Sequence, residues 1–208
     1  MNKVTVRSRC VTLIAVGLCG FVSARAGSLE PPLGPVSPTR PPDKCFDNSG
    51  NRFVDCGNGT VKDSVTGLFW LKNANCIVGQ NWAMANIKAA ELGHGQCGLT
   101  DGSLPGDWRL PTLTCSGTYC NPISTATGEF ASIFGPACTT APYVLNTAGT
   151  GCWAEGNPFS GVQSTYFWSA TSYAGEPNDA WLVYLNGGFV STDIKYINLD
   201  AWPVRGGP

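Results

Sequence analysis

Eight cysteines between positions 45 and 152 constrain this chain more than any other feature: Cys45, Cys56, Cys76, Cys97, Cys115, Cys120, Cys138 and Cys152. An even set in an exported chain reads as a disulfide framework formed in an oxidising compartment, with 105 formal connectivities. Loops between sequence neighbours are the easiest to close. The expected pairs are therefore Cys45 with Cys56, Cys76 with Cys97, Cys115 with Cys120, and Cys138 with Cys152, each contributing about 2–3 kcal/mol. A zinc site fits poorly, because no Cys-x-x-Cys occurs and His94 is the only histidine.

Export is read from the first residues. Lys3, Arg7 and Arg9 precede an uncharged apolar run from Cys10 to Ala24, which ends in Ala24-Arg25-Ala26. The run is signal-length rather than span-length, and the small-x-small ending predicts cleavage after Ala26. Residues 1–26 are thus expected to be a signal peptide that takes Cys10 and Cys19 with it. Leu18 is too bulky for the residue before a lipid-modified Cys19. No membrane span is expected in the mature chain, which is placed in the periplasm, at the cell surface or outside the cell. Six prolines between Glu30 and Asp43 predict an extended linker over 27–43. Residues 44–208 then form one domain.

Charge narrows the partners. The leader carries four of the 13 basic residues and none of the 14 acidic ones, which leaves nine against 14 and a net charge of about −5. Those nine are scattered singly from Arg40 to Arg205. Such a surface offers no field for nucleic acid, anionic lipid or sulfated polysaccharide.

The domain opens with short runs rich in β-branched and aromatic residues, Arg52–Asp55, Thr60–Asp63 and Leu68–Leu71, separated by turns at Gly57-Asn58-Gly59 and Thr66-Gly67. Asn81 caps a predicted helix in which Trp82, Ala85, Ala89 and Leu92 share a face, closed by Gly93. Trp108–Pro111 reads as a short buried strand, and 129–134 as a second, shorter helix with Phe130, Ile133 and Phe134 on one side. Strands follow at 166–170, 180–186, 189–194 and about 201–205. In the run 180–186 both side-chain rows, Trp181/Val183/Leu185 and Leu182/Tyr184, are apolar, which predicts a strand covered on both faces. The fold class is α+β: one disulfide-bonded domain of short, mainly antiparallel strands with one or two helices.

Several stretches in order, Arg52-Phe53-Val54-Asp55, Asn58-Gly59-Thr60-Val61, Thr66-Gly67-Leu68-Phe69-Trp70, Asn81-Trp82, Cys97-Gly98-Leu99-Thr100-Asp101-Gly102, Asp107-Trp108-Arg109-Leu110-Pro111, Phe167-Trp168-Ser169-Ala170-Thr171, Ala180-Trp181 and Trp202-Pro203-Val204-Arg205, resemble the Lcl C-terminal domain family. The resemblance covers residues 52–205 and implies an exported module with a C-type-lectin-like or closely related fold. It also implies attachment, which for the family's namesake is towards sulfated glycosaminoglycans. The namesake's collagen-like stalk makes a trimer the assembly to check. Here the acidic mature chain argues against a sulfated ligand. The family's usual helix after Leu110-Pro111-Thr112 is replaced by a cysteine-bearing insertion that runs to about Trp153.

Gly175-Glu176-Pro177-Asn178-Asp179 reads first as a polar turn. The second reading is half of a calcium-dependent lectin site, with Glu176, Asn178 and Asp179 as ligands to both the metal and a sugar, and with Asp193 or Asp200 adding oxygens. Trp108, Trp168, Trp181 and Trp202 read as core, whereas Tyr119 and Trp153, among Gly, Ser and Thr, read as exposed ligand-binding aromatics. Arg109 and Arg205 are expected to be structural and paired, with carboxylate or carbonyl partners such as Asp107 or Asp63. His94 at a helix end and the lack of Gly-x-Ser-x-Gly leave no nucleophilic machinery, so no catalysis is expected. The leading expectation is a recognition or adhesion module for a neutral glycan or a surface protein. A structural part of an envelope assembly is the alternative, and a glycan-active hydrolase built on carboxylates the weakest reading.

Overall fold

A computed structural model describes Cys45 and residues 50–206; the expected signal peptide and proline-rich linker lie outside the described residues. The first half is a meander. β1 (Phe53–Asp55), β2 (Thr60–Asp63) and β3 (Leu68–Leu71) pair antiparallel in sequence. All four residues of β3 are buried, because β9 (Val204–Gly206) closes its other edge and makes it an interior strand.

The second sheet has the order β4-β8-β5-β6-β7, with β4 Ile77–Gln80, β5 Tyr166–Ser172, β6 Asp179–Tyr184, β7 Phe189–Ile194 and β8 Leu199–Ala201. Only the β5–β8 pair is parallel. Strand β6 lies between β5 and β7 with Ala180 to Val183 buried in succession, as two apolar rows require.

Helix α1 spans Trp82–Glu91. Its first turn is closed by the Asn81 side chain, which accepts from the Met84 N–H and satisfies a donor that the helix itself cannot pair. Ala85 and Ala89, four apart, form its buried stripe.

Three sequence expectations need correction. Trp108–Pro111 is not a strand but a single antiparallel bridge, Arg109 to Val204, because Pro111 has no N–H to extend the ladder. The helix expected over 129–134 is one 3-10 turn, Phe130–Ile133, with a second such turn at Ile123–Thr125. Phe130, Ile133 and Phe134 are nevertheless all buried. The last expected strand is two strands in different sheets, since Pro203 interrupts pairing between β8 and β9.

That crossing places Trp202 between the sheets. Its indole N–H donates to the Leu71 carbonyl at 2.7 Å, and its ring meets Phe159 at 4.9 Å, Trp70 at 5.6 Å and Phe167 at 6.0 Å. The contacts with Phe159 and Trp70 are edge-on and that with Phe167 is tilted, arrangements that suit the ring quadrupoles and add to the burial of large apolar surface. Trp108, Trp168, Trp181 and Trp202 are all core. The four disulfides pair as expected: Cys45–Cys56, Cys76–Cys97, Cys115–Cys120 and Cys138–Cys152. The last two staple the long irregular stretch between α1 and β5, which has little regular hydrogen bonding of its own. Among the described residues no helix is long and apolar enough to cross a membrane.

Candidate functional site

At one end of the second sheet the strand register assembles a row of aromatic rings. Tyr166 on β5 stands opposite Tyr184 on β6, and Tyr184 stands opposite Phe189 on β7. Directly opposed residues share a face with their side chains about 5 Å apart. The rings of Tyr166 and Tyr184 stack at 4.0 Å and 12°, and Tyr184 meets Phe189 at 5.1 Å.

Tyr119 continues the row beyond β7. Cys120 exchanges both backbone hydrogen bonds with Val190, at 2.9 Å each, so the segment around it runs antiparallel to β7 as an added edge. The Cys115–Cys120 disulfide closes a small loop immediately beside it. Tyr119 then lies 5.1 Å from Phe189, with half of its surface exposed. Below the row the hairpin turns at Gly188, whose φ of +65° suits glycine, and a Cβ there would fall 2.6 Å from the Tyr143 ring.

Polar groups border the rings. Asn121 donates its amide N–H to the Tyr119 hydroxyl at 3.3 Å, and Asn186 does the same for Tyr184 at 3.1 Å. The segments that build the row, 116–121, 163–166 and 184–189, contain no charged side chain. The surface therefore offers stacking and neutral hydrogen bonding with no ionic contact of its own.

The sequence-predicted residues divide. Tyr119 belongs to the row. Trp153 does not: it is half-buried, packs against the core and donates its indole N–H to the Phe159 carbonyl at 3.0 Å, so it is not the exposed aromatic that was expected. Glu176 and Asn178 sit in the β5–β6 turn and Asp179 opens β6, its N–H donating to the Glu176 carbonyl at 2.9 Å. Lys195 clasps this turn: its ammonium donates to the Pro177 carbonyl at 2.6 Å and to the Ser172 hydroxyl, and lies 4.6 Å over the Trp82 ring. The turn and the row occupy opposite ends of β6, five residues or about 16 Å apart. Asp200 opposes Phe167, at the row's end of β5, so it does not join the turn either. Among the described residues no group of three or more His, Cys, Asp or Glu is placed to hold a metal ion.

Sequence reasoning missed Tyr166, Tyr184 and Phe189. One signal is present: Tyr184 and Phe189 bracket the turn Leu185-Asn186-Gly187-Gly188, so they close the hairpin and must face the same way.

Several charged residues elsewhere are engaged within the fold. Arg109 forks onto Glu129 with 2.5 and 2.6 Å contacts and also donates to the Gly206 carbonyl at 3.2 Å. Arg205 pairs with Asp101, and Asp63 instead receives Arg52. Burial pushes the Glu129 carboxyl up, but the Arg109 fork and the Thr112 N–H outweigh it and hold the group below its ordinary range. Asp200 is raised by burial, against a weaker opposing bond from the Gly79 N–H. His94 accepts from the Gly102 N–H through Nδ1 at 3.1 Å, a loop contact. A recess of about 440 Å³ between Leu68, Thr112, Glu129 and Ser132 contains a carboxylate already engaged by Arg109.

The family model described as the Lcl C-terminal domain matches residues 59–205. No curated protein and no solved structure matches the chain.

Proposed function

The chain belongs to the Lcl C-terminal domain family, and from that premise we propose that it is an exported recognition module that binds a neutral glycan on the row Tyr119–Phe189–Tyr184–Tyr166, without catalysis. The row is the observation that carries this reading. Aromatic faces and edges suit the apolar C–H surfaces of sugars, and the flanking amides and hydroxyls suit their hydroxyl groups. Four disulfides support an extracytoplasmic location. We read the pair of small sheets with one flanking helix as a lectin-like scaffold.

None of the four row residues lies in the stretches by which the chain resembles its family. Those stretches supply the core: Trp70, Trp108, Trp168, Trp181, Trp202 and the buried Arg205. A sulfated ligand would need cations that the row lacks, so the ligand class proposed here departs from the namesake's.

Screening the purified protein against neutral glycans and heparin tests the reading. Neutral glycans are expected to bind and to lose about tenfold or more in affinity in Phe189→Ala. Heparin is expected to bind weakly or not at all near physiological ionic strength. Silence towards every neutral glycan would favour a structural role in an envelope assembly instead.

A further inference from the structure

We infer that the row holds two like subsites, one at each of two Tyr-x-Asn motifs that run in the same direction, and therefore takes an extended neutral β-1,4-linked oligosaccharide, with a trisaccharide as the shortest ligand that fills both. The inference rests on the glycan reading above and adds the ligand's length and linkage.

The observation is a repeated motif. Tyr119-Cys120-Asn121 and Tyr184-Leu185-Asn186 share the spacing Tyr-x-Asn, and in each the asparagine amide donates to the hydroxyl of its own tyrosine. That bond uses a lone pair of the phenol oxygen and leaves its O–H to donate outward, while the amide Oδ1 on the other arm remains an acceptor. Each motif thus presents a donor beside an acceptor, which is what neighbouring sugar hydroxyls require. Tyr119, Asn121 and Asn186 are exposed, and Tyr184 is half-buried.

The two motifs also run in the same direction. The segment at Cys120 is antiparallel to β7, and β6 is antiparallel to β7, so the first and third segments are parallel to one another. They are related by a shift, two strands across the sheet and two residues along it, not by a two-fold axis. The two tyrosine rings, each 5.1 Å from Phe189, are no more than about 10 Å apart. Phe189 lies between the motifs, 5.1 Å from each tyrosine ring. A head-to-tail polymer matches two sites related by translation. In an extended β-1,4-linked chain alternate units turn the same edge to one side, and a shift of this size spans two sugar rings. Units one and three would then meet the two tyrosines, with the middle unit over Phe189. A curved α-1,4-linked chain does not repeat in this way.

Titration of the whole protein with cello-, chito- and malto-oligosaccharides from monomer to hexamer, read by calorimetry and by NMR shifts of the row tyrosines, tests the inference. The expected result is a step of at least about tenfold in affinity between dimer and trimer for the cello or chito series, as a second linked contact gives, and no such step for the malto series. Tyr119→Phe and Tyr184→Phe keep both rings and the fold, and each should reduce trimer affinity about to that of the dimer. Binding at the row with no step at the trimer, or equal binding of the malto series, would overturn the inference and leave the glycan reading standing. No shift of the row by any series member would overturn both.

Discussion

Asp101 and Arg205 form an ion pair at 3.0 Å with their side chains 0% and 1% exposed, which ties the loop after α1 to the last strand. The guanidinium also lies 4.5 Å over Phe69 and 5.3 Å over Trp108. The carboxylate's other oxygen accepts from the Ser103 hydroxyl at 2.7 Å, and that hydroxyl accepts from the Trp108 indole at 3.0 Å. Every member of the network has a partner, and so a charge can remain in the core. Asp101→Asn should remove a fully buried counter-charge from the guanidinium and cost about 3–5 kcal/mol in urea unfolding. Replacing both members by apolar residues of similar volume should cost less than either single change.

Two carboxyls set opposing pH dependences. Glu129 is held below its ordinary value of 4.5, so its contribution is full above that value and is lost as pH falls through the depressed one. Asp200 is raised above its ordinary 3.8, so folding is favoured by its protonated form and that advantage is lost as pH rises. Glu129→Gln should flatten the acid limb of a melting-temperature profile. Asp200→Asn keeps an oxygen for the Gly79 N–H and removes the charge, and should raise the melting temperature at neutral pH. A lowered value there would contradict the assignment.

Gly188 bears directly on the row. Its φ of +65° and the 2.6 Å between a built Cβ and the Tyr143 ring make alanine costly twice over. Gly188→Ala should lose about 1–3 kcal/mol of stability from the backbone strain alone. Because the turn also fixes the Tyr184–Phe189 pair, the tyrosine fluorescence of the folded variant should change as well, which a remote destabilising change would not cause.

What was legible in the sequence follows from range. The capped helix at Asn81, the strands around Gly57–Gly67 and the disulfides between neighbours are set by interactions a few residues apart, or by the ease of closing a short loop. Arg109 and Arg205 stand in apolar runs, so their need of partners could be read, but Glu129 and Asp101 are 20 and 104 residues away and no local pattern points to them. Pro203 was visible too, yet only the tertiary structure decides that the chain changes sheets there. The aromatic row was hidden for the same reason. Its members come from three separate stretches of chain, and periodicity within β6 assigns Tyr184 to the buried side, whereas its position at the strand's end leaves it half-exposed.

Calcium supplies the last prediction. The Glu176–Asp179 turn has the residue types of a lectin metal site, but the Lys195 ammonium already donates to the Pro177 carbonyl at 2.6 Å, and the Lys195 backbone N–H donates to the Asn178 carbonyl at 2.9 Å. A divalent cation would have to displace or sit beside that ammonium, at a cost that few nearby oxygens offset. The turn is also about 16 Å along β6 from the aromatic row, too far for one ion to bridge sugar and turn together. Exhaustive chelation should therefore leave both the melting temperature and neutral-glycan affinity unchanged. Lys195→Met should destabilise the turn by releasing its hydrogen bonds and its contact with Trp82, without creating any calcium dependence. A melting temperature that falls on chelation and recovers with added Ca²⁺ would show that the turn is a metal site after all.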